Sequence, residues 1–138
     1  MDRLRQLRAK AGDTEKITIN LGYVDLGHID LMVQEGFYSN RTDFIRTAIR
    51  NQLAAHSEVI STSAIRKTLD LGLRHFGRSD LEAAKKKGER LRIQVLGLAV
   101  IGDDVTPALA EETIESITVF GALHASREVR AALAGRIH

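Results

Sequence analysis

Cysteine and tryptophan are absent from this chain of 138 residues, and proline occurs once. Without thiols there can be no disulfide framework, no thiolate metal site and no cysteine nucleophile, and the composition fits a reducing compartment. Aromatic residues make up only 4% of the chain, so any core must be aliphatic. Long apolar runs are lacking too. The longest, IQVLGLAVIG at 93–102, is about half of the ~18 residues that a membrane helix requires, and it reads as a buried strand. The opening MDRLRQLRAK is too charged for a signal peptide. Phosphate-loop, dinucleotide-glycine, HExxH and GxSxG patterns are all missing, and no Ser, His and Asp set suggests a nucleophile. The expectation is a cytoplasmic protein with no membrane association, no cofactor and no catalytic site: not an enzyme.

What is present begins with charge. Net charge is only +2, yet Arg3, Arg5, Arg8 and Lys10 face a single acid, Asp2, at the start. Such an arm acts locally, over a Debye length of about 8–10 Å. Residues 1–14 read as this basic arm, 15–56 as a first folded region and 66–138 as a second, with SEVISTSAI at 57–65 joining them.

In the first region Lys16-Ile17-Thr18-Ile19-Asn20-Leu21 alternates polar and apolar residues. Period two predicts a strand that buries Ile17, Ile19 and Leu21 and exposes Lys16, Thr18 and Asn20. Gly22 ends it. A first helix is expected from an Asp25 N-cap, with Val24 packing on Ile29 and with Leu26, Ile29, Met32 and Val33 as its apolar stripe. Gly36 supplies a left-handed C-cap, after which Phe37 returns to the core. A second helix is expected from an Asn40 cap, with Asp43 three residues on and Phe44, Ile45, Ala48, Ile49 and Leu53 on one face; Arg46 and Arg50 share another. One strand cannot satisfy its own backbone groups, and about forty residues with so few apolar side chains cannot form a stable domain alone. Two chains that pair their strands and interleave their helices remove both deficits.

Taken in order, Lys-Ile-Thr-Ile-Asn-Leu, Gly36 and Asn40-Arg41-Thr42-Asp43-Phe44-Ile45-Arg46 resemble the ribbon–helix–helix proteins of the CopG, Arc and MetJ type. The resemblance implies an α+β fold whose N-terminal part is an intertwined homodimer, with Ile17, Ile19, Leu21, Phe44, Ile45 and Ile49 in the dimer core. It implies a bacterial transcriptional regulator, a repressor as a family expectation, that inserts an antiparallel β-ribbon into the major groove of double-stranded DNA. Lys16, Thr18 and Asn20 would read base edges, Asn20 being the least typical of the three. Asn40, Arg41 and Thr42 would clamp a phosphate at a helix start, where backbone N–H groups and the helix dipole favour an anion. Other ribbon–helix–helix proteins are antitoxins or partition factors, so the alternatives are a toxin-neutralising chain that grips a protein partner and a self-assembling DNA-anchored scaffold.

The second region contains a repeat. Leu71-Gly72-Leu73-Arg74-His75-Phe76 aligns with Leu96-Gly97-Leu98-Ala99-Val100-Ile101, and that with Phe120-Gly121-Ala122-Leu123-His124-Ala125. Each expected strand leads into a helical pattern, at 79–87, 103–114 and 126–134. Parallel strand–helix units read as a short solenoid-like region, with Gly72, Gly97 and Gly121 where backbones approach closely or bulge and Pro107 in a first helical turn. Such a region is expected to serve oligomerisation beyond the dimer or docking of a partner. It resembles C-terminal regions of bacterial CopG-type regulators and differs from the ligand domain of the nickel-responsive members. His75 and His124 fall at equivalent positions on either side of Val100; two histidines without a third ligand point to no metal. Lys85, Lys86 and Lys87 read as a solvated helix face.

Overall fold

The computed structural model describes residues 14–138. The basic arm, with Arg3, Arg5, Arg8 and Lys10, lies outside the described residues. Two compact units are present, divided between Thr62 and Ser63.

In the first unit, residues 14–22 belong to no element of the single chain. The strand expected at 16–21 needs a second strand beside it, and one chain supplies none in this unit. Helix α1 is Tyr23–Gln34 and is capped by Gly22, three residues before the expected Asp25 cap. Gly22 takes the extended conformation of an N-cap, and Asp25 falls instead in the first turn, where its carboxylate faces the positive helix end. Val24 is therefore inside the helix and exposed, not a staple preceding it. Gly36, at φ +88°, ends the helix as expected. Its N–H donates to the Val33 carbonyl (3.0 Å) and the Phe37 N–H to that of Met32 (3.1 Å), a Schellman turn. Phe37 stays exposed rather than entering a core, because Ile29 is the one buried apolar residue that α1 offers.

Helix α2, Arg41–Ala55, starts at the expected Asn40. After His56 comes helix α3, Ser57–Arg66, where a connecting segment was expected. The His56 carbonyl accepts from the Ile60 N–H (3.0 Å) and so carries the helical ladder on through the junction. The division between the units falls inside α3.

The second unit alternates strand and helix: β1 (Asp70–Phe76), α4 (Arg78–Lys86), β2 (Leu91–Ile101), α5 (Pro107–Thr113), β3 (Ile114–His124) and α6 (Arg127–Ala132). The strands form one parallel sheet in the order β1-β2-β3. Consecutive helices pack on one another, α4 on α5 and α5 on α6, so the helices lie together in one layer. Helix starts are well capped. Asp80 accepts from the Gly77 N–H (2.8 Å), Thr106 from that of Leu109 (3.2 Å) and Ser126 from that of Val129 (3.1 Å). Pro107 occupies the first turn, as its missing N–H allows. The core joins Leu81, Ile93, Val95, Ile101, Leu109, Ile114, Ile117, Val129 and Leu133, aliphatic apart from Phe76 at one edge.

The repeat seen in the sequence is the register of this sheet. Leu71 pairs with Leu96 and Leu96 with Phe120; Gly72 pairs with Gly97 and Gly97 with Gly121. The region expected to be solenoid-like is, as described, a small parallel sheet with a helix after each strand. Its glycines form a row with φ of +99°, +139° and +127°. A Cβ at Gly97 would overlap the Gly72 carbonyl oxygen, and one at Gly121 would overlap that of Gly97. Only glycine fits both the dihedral and the space. No helix among the described residues is long and apolar enough to cross a membrane.

Candidate nucleic-acid interface

Lys16, Thr18 and Asn20 are exposed, as a base-reading set must be. Their intended opposites are exposed as well, Ile17 by 73% and Ile19 by 58%. In the single chain neither face of this segment is buried. The apolar positions therefore have no cover within their own unit.

Asn40, Arg41 and Thr42 come together at the start of α2. The Asn40 side-chain oxygen accepts from the Asp43 N–H (2.8 Å), and the Asp43 carboxylate accepts from the Ser39 N–H (2.9 Å). This reciprocal cap fixes the turn and leaves the first backbone N–H groups of the helix, those of Arg41 and Thr42, facing outward from its end. Tyr38 sets its ring edge against Phe44 at 4.9 Å and pins the approach to α2.

The Arg41 guanidinium is engaged elsewhere. Its Nε and second terminal nitrogen donate to the two Asp30 oxygens at 2.7 and 2.8 Å, which fastens α2 to α1. These hydrogen bonds hold the Asp30 carboxyl below the ordinary carboxylate range despite the opposing effect of burial, with the charge of Arg41 adding to them. The Arg41 guanidinium is pushed up in return. Sequence reasoning missed this pair. Asp30 and Arg41 are eleven positions apart across a glycine turn, so no helical spacing announces them.

The expected dimer-core residues divide. Phe44 and Ile45 are half-buried, while Ile17, Ile19, Leu21 and Ile49 are exposed. Ala48 and Leu53 on the same helix are exposed too. Residues 14–62 hold the cations Lys16, Arg41, Arg46 and Arg50 against Glu15, Asp25, Asp30, Glu35, Asp43 and Glu58, so general attraction to a polyanion cannot come from this unit.

In the second unit His75 and His124 flank Val100 across the sheet, as the repeat implied. Among the described residues no group of three or more His, Cys, Asp or Glu could hold a metal ion. Lys85 pairs with Glu112 at 2.9 Å, so one of the three neighbouring lysines ties α4 to α5.

A segment of strand-forming pattern, a helix closed by glycine and a second helix capped by Asn40 follow one another in the order of a ribbon–helix–helix regulator. The chain belongs to the Ribbon-Helix-Helix transcriptional regulator family, whose model matches residues 12–130 and so takes in most of both units. No curated protein and no solved structure matches it.

Proposed function

We propose that the chain is a homodimeric, sequence-specific DNA-binding repressor. Two copies of residues 16–21 pair as an antiparallel ribbon that enters the major groove. Lys16, Thr18 and Asn20 of each strand face base edges there. Lysine suits guanine O6 and N7, asparagine suits adenine N6 and N7, and threonine serves either role. Asn40, Arg41 and Thr42 position the ribbon by holding a backbone phosphate, and the arm with Arg3, Arg5, Arg8 and Lys10 adds the attraction that residues 14–62 lack. Repression follows from occupying the site.

One observation carries this reading. Ile17, Ile19 and Leu21 alternate with three polar residues and are uncovered in the single chain, an arrangement that a second copy completes. The core of residues 63–138 favours a regulator over an antitoxin, whose partner-gripping half would gain its order from the toxin. That second unit would hold neighbouring dimers side by side.

Enrichment of random DNA on the purified protein tests the proposal. A defined half-site repeated about a two-fold axis is expected. Asn20→Ala should relax preference at one base step, at a cost of about 1–3 kcal/mol of discrimination, while much of the bulk affinity remains. Unchanged preference in this variant would remove Asn20 from the reading set, and failure to enrich any sequence would sink the proposal.

A further inference from the structure

We propose that the free edge of β3 receives the β1 edge of a second copy, so that C-terminal sheets join head to tail in the register of the glycine row. In a parallel ladder alternate residues send both backbone groups to the same side. The Gly72 carbonyl points toward β2 and the Gly97 carbonyl toward β3. By the same alternation Val119, Gly121 and Leu123 present theirs to the outer edge of β3, as Ile117 already does. Ile117 donates to the Arg136 carbonyl and accepts from the His138 N–H, both at 2.8 Å, so Ile137 takes a fourth parallel position beside β3. Arg130 donates to the Leu123 carbonyl at the other end. Between these two closures lies a window centred on Gly121.

The β1 edge offers the complement. Gly72 has the positive φ of its two counterparts. At Gly97 and Gly121 the place where a Cβ would sit is filled by the preceding glycine's carbonyl, whereas at Gly72 nothing lies within 4 Å. A Gly121 carbonyl from a second copy is the group that fills this place elsewhere in the row. Leu71 and Leu73 have their backbone groups directed outward, and in this register they meet those of Val119 and Gly121 and the Leu123 N–H, the Leu123 carbonyl being already held by Arg130. Side chains agree with the backbone. Leu71 is 70% exposed at one edge and Phe120 47% exposed at the other. The pairing sets them side by side, as Leu71 and Leu96 stand now.

The two edges differ, so the contact is heterologous and propagates instead of closing as a two-fold dimer does. Its consequence, that dimers on DNA are linked through their C-terminal sheets, rests on the function proposed above. The edge pairing itself does not.

The absence of cysteine makes a clean test on the full chain without DNA. In the proposed register Leu73 of one copy stands opposite Ala122 of the next. Within one copy β2 separates them, by two strand spacings or roughly 10 Å, too far for a disulfide. Mild oxidation of the double variant L73C/A122C should give a ladder of covalent species, while each single variant stops at a dimer. The pair L73C/V119C, on opposite faces of the sheet, should give none. Leu73→Pro removes an outward N–H at an edge where proline is tolerated, and should abolish concentration-dependent growth in sedimentation with circular dichroism unchanged. A double variant that stops where the single ones do, or a chain that stays dimeric at every concentration, overturns the proposal. If that same protein still selects a DNA site, the edge pairing alone has failed.

Discussion

Residues 63–138 gather a buried cluster from three strands and the helices between them, whereas residues 14–62 bury Ile29 alone and leave Ile17, Ile19, Tyr23, Leu31, Phe37, Ile49 and Leu53 in contact with water. Both stretches are rich in aliphatic side chains. What separates them is where the complementary surface resides. In the second unit the repeat supplies it in cis, since each strand–helix turn covers the one before. In the first, the alternation of Ile17, Ile19 and Leu21 has no matching face on α1 or α2. If the ribbon pairs as proposed, the stability of this unit depends on protein concentration, whereas the core of the sheet unit is complete within one chain.

The sharpest way to break the contrast is from the side of the sheet. Gly97→Ala places a Cβ against the Gly72 carbonyl and forces alanine to φ +139°. Backbone strain and overlap together should cost about 3 kcal/mol or more. Urea melts followed by circular dichroism should show the cooperative transition of residues 63–138 lost or shifted far down at every protein concentration. Dimerisation through the first unit should persist.

The converse change is Ile19→Lys. Because Ile19 is exposed in the single chain, the substitution removes little from the isolated fold. In a paired ribbon it would bury an ammonium group in the dimer core, which is costly. The dimer dissociation constant should rise at least about 100-fold, equivalent to about 3 kcal/mol, and DNA binding should fall with it. Analytical ultracentrifugation and fluorescence anisotropy would measure both. A variant that remains dimeric even when Leu73→Pro has removed the edge pairing would show that the two units do not differ in this way.

The same contrast explains what could be read beforehand. Gly72, Gly97 and Gly121 were aligned from the sequence because a repeat whose register is set in cis leaves its spacing in the chain, and those residues are partners in the sheet. The caps at Asn40 and Gly36 were legible for a similar reason, since cap chemistry acts over three or four residues. The start of α1 at Tyr23 was not. Asp25 is the stronger cap by type, but Gly22 is tolerated there and the helix gains nearly a further turn. Helix α3 escaped because Ser, Thr, Val and Ile dominate it, and their intrinsic preference for helix is weak. Of the candidate interface, the Asn40 helix start was legible; the one-sided exposure expected at 16–21 is absent from the single chain. The Asp30–Arg41 pair was not legible, because it depends on how two helices meet.

That pair yields the smallest expected effect and the finest comparison, one within the first unit. Asp30 holds both faces of the Arg41 fork, so a phosphate must compete with it for the guanidinium while the backbone N–H groups of Arg41 and Thr42 remain at the helix start. Both side chains are about half exposed, and ion pairs of that kind add little to stability. Asp30→Asn should therefore leave the melting temperature nearly unchanged at neutral pH. Its effect on acid stability has a definite sign. The folded-state carboxyl is held below its ordinary value, so the pair's contribution is present above the unfolded pKa of about 4 and disappears as pH falls through the depressed folded value. Wild type and variant should converge in acid and separate slightly above it. DNA binding should respond more. With Arg41 released, affinity should rise several-fold for all sequences alike, and the dependence of log K on log salt should steepen by up to ~0.9 for each phosphate gained. Anisotropy titrations at several salt concentrations would measure this. Weaker binding by Asp30→Asn would mean instead that Asp30 positions the helix start and that the phosphate is held by backbone N–H groups alone.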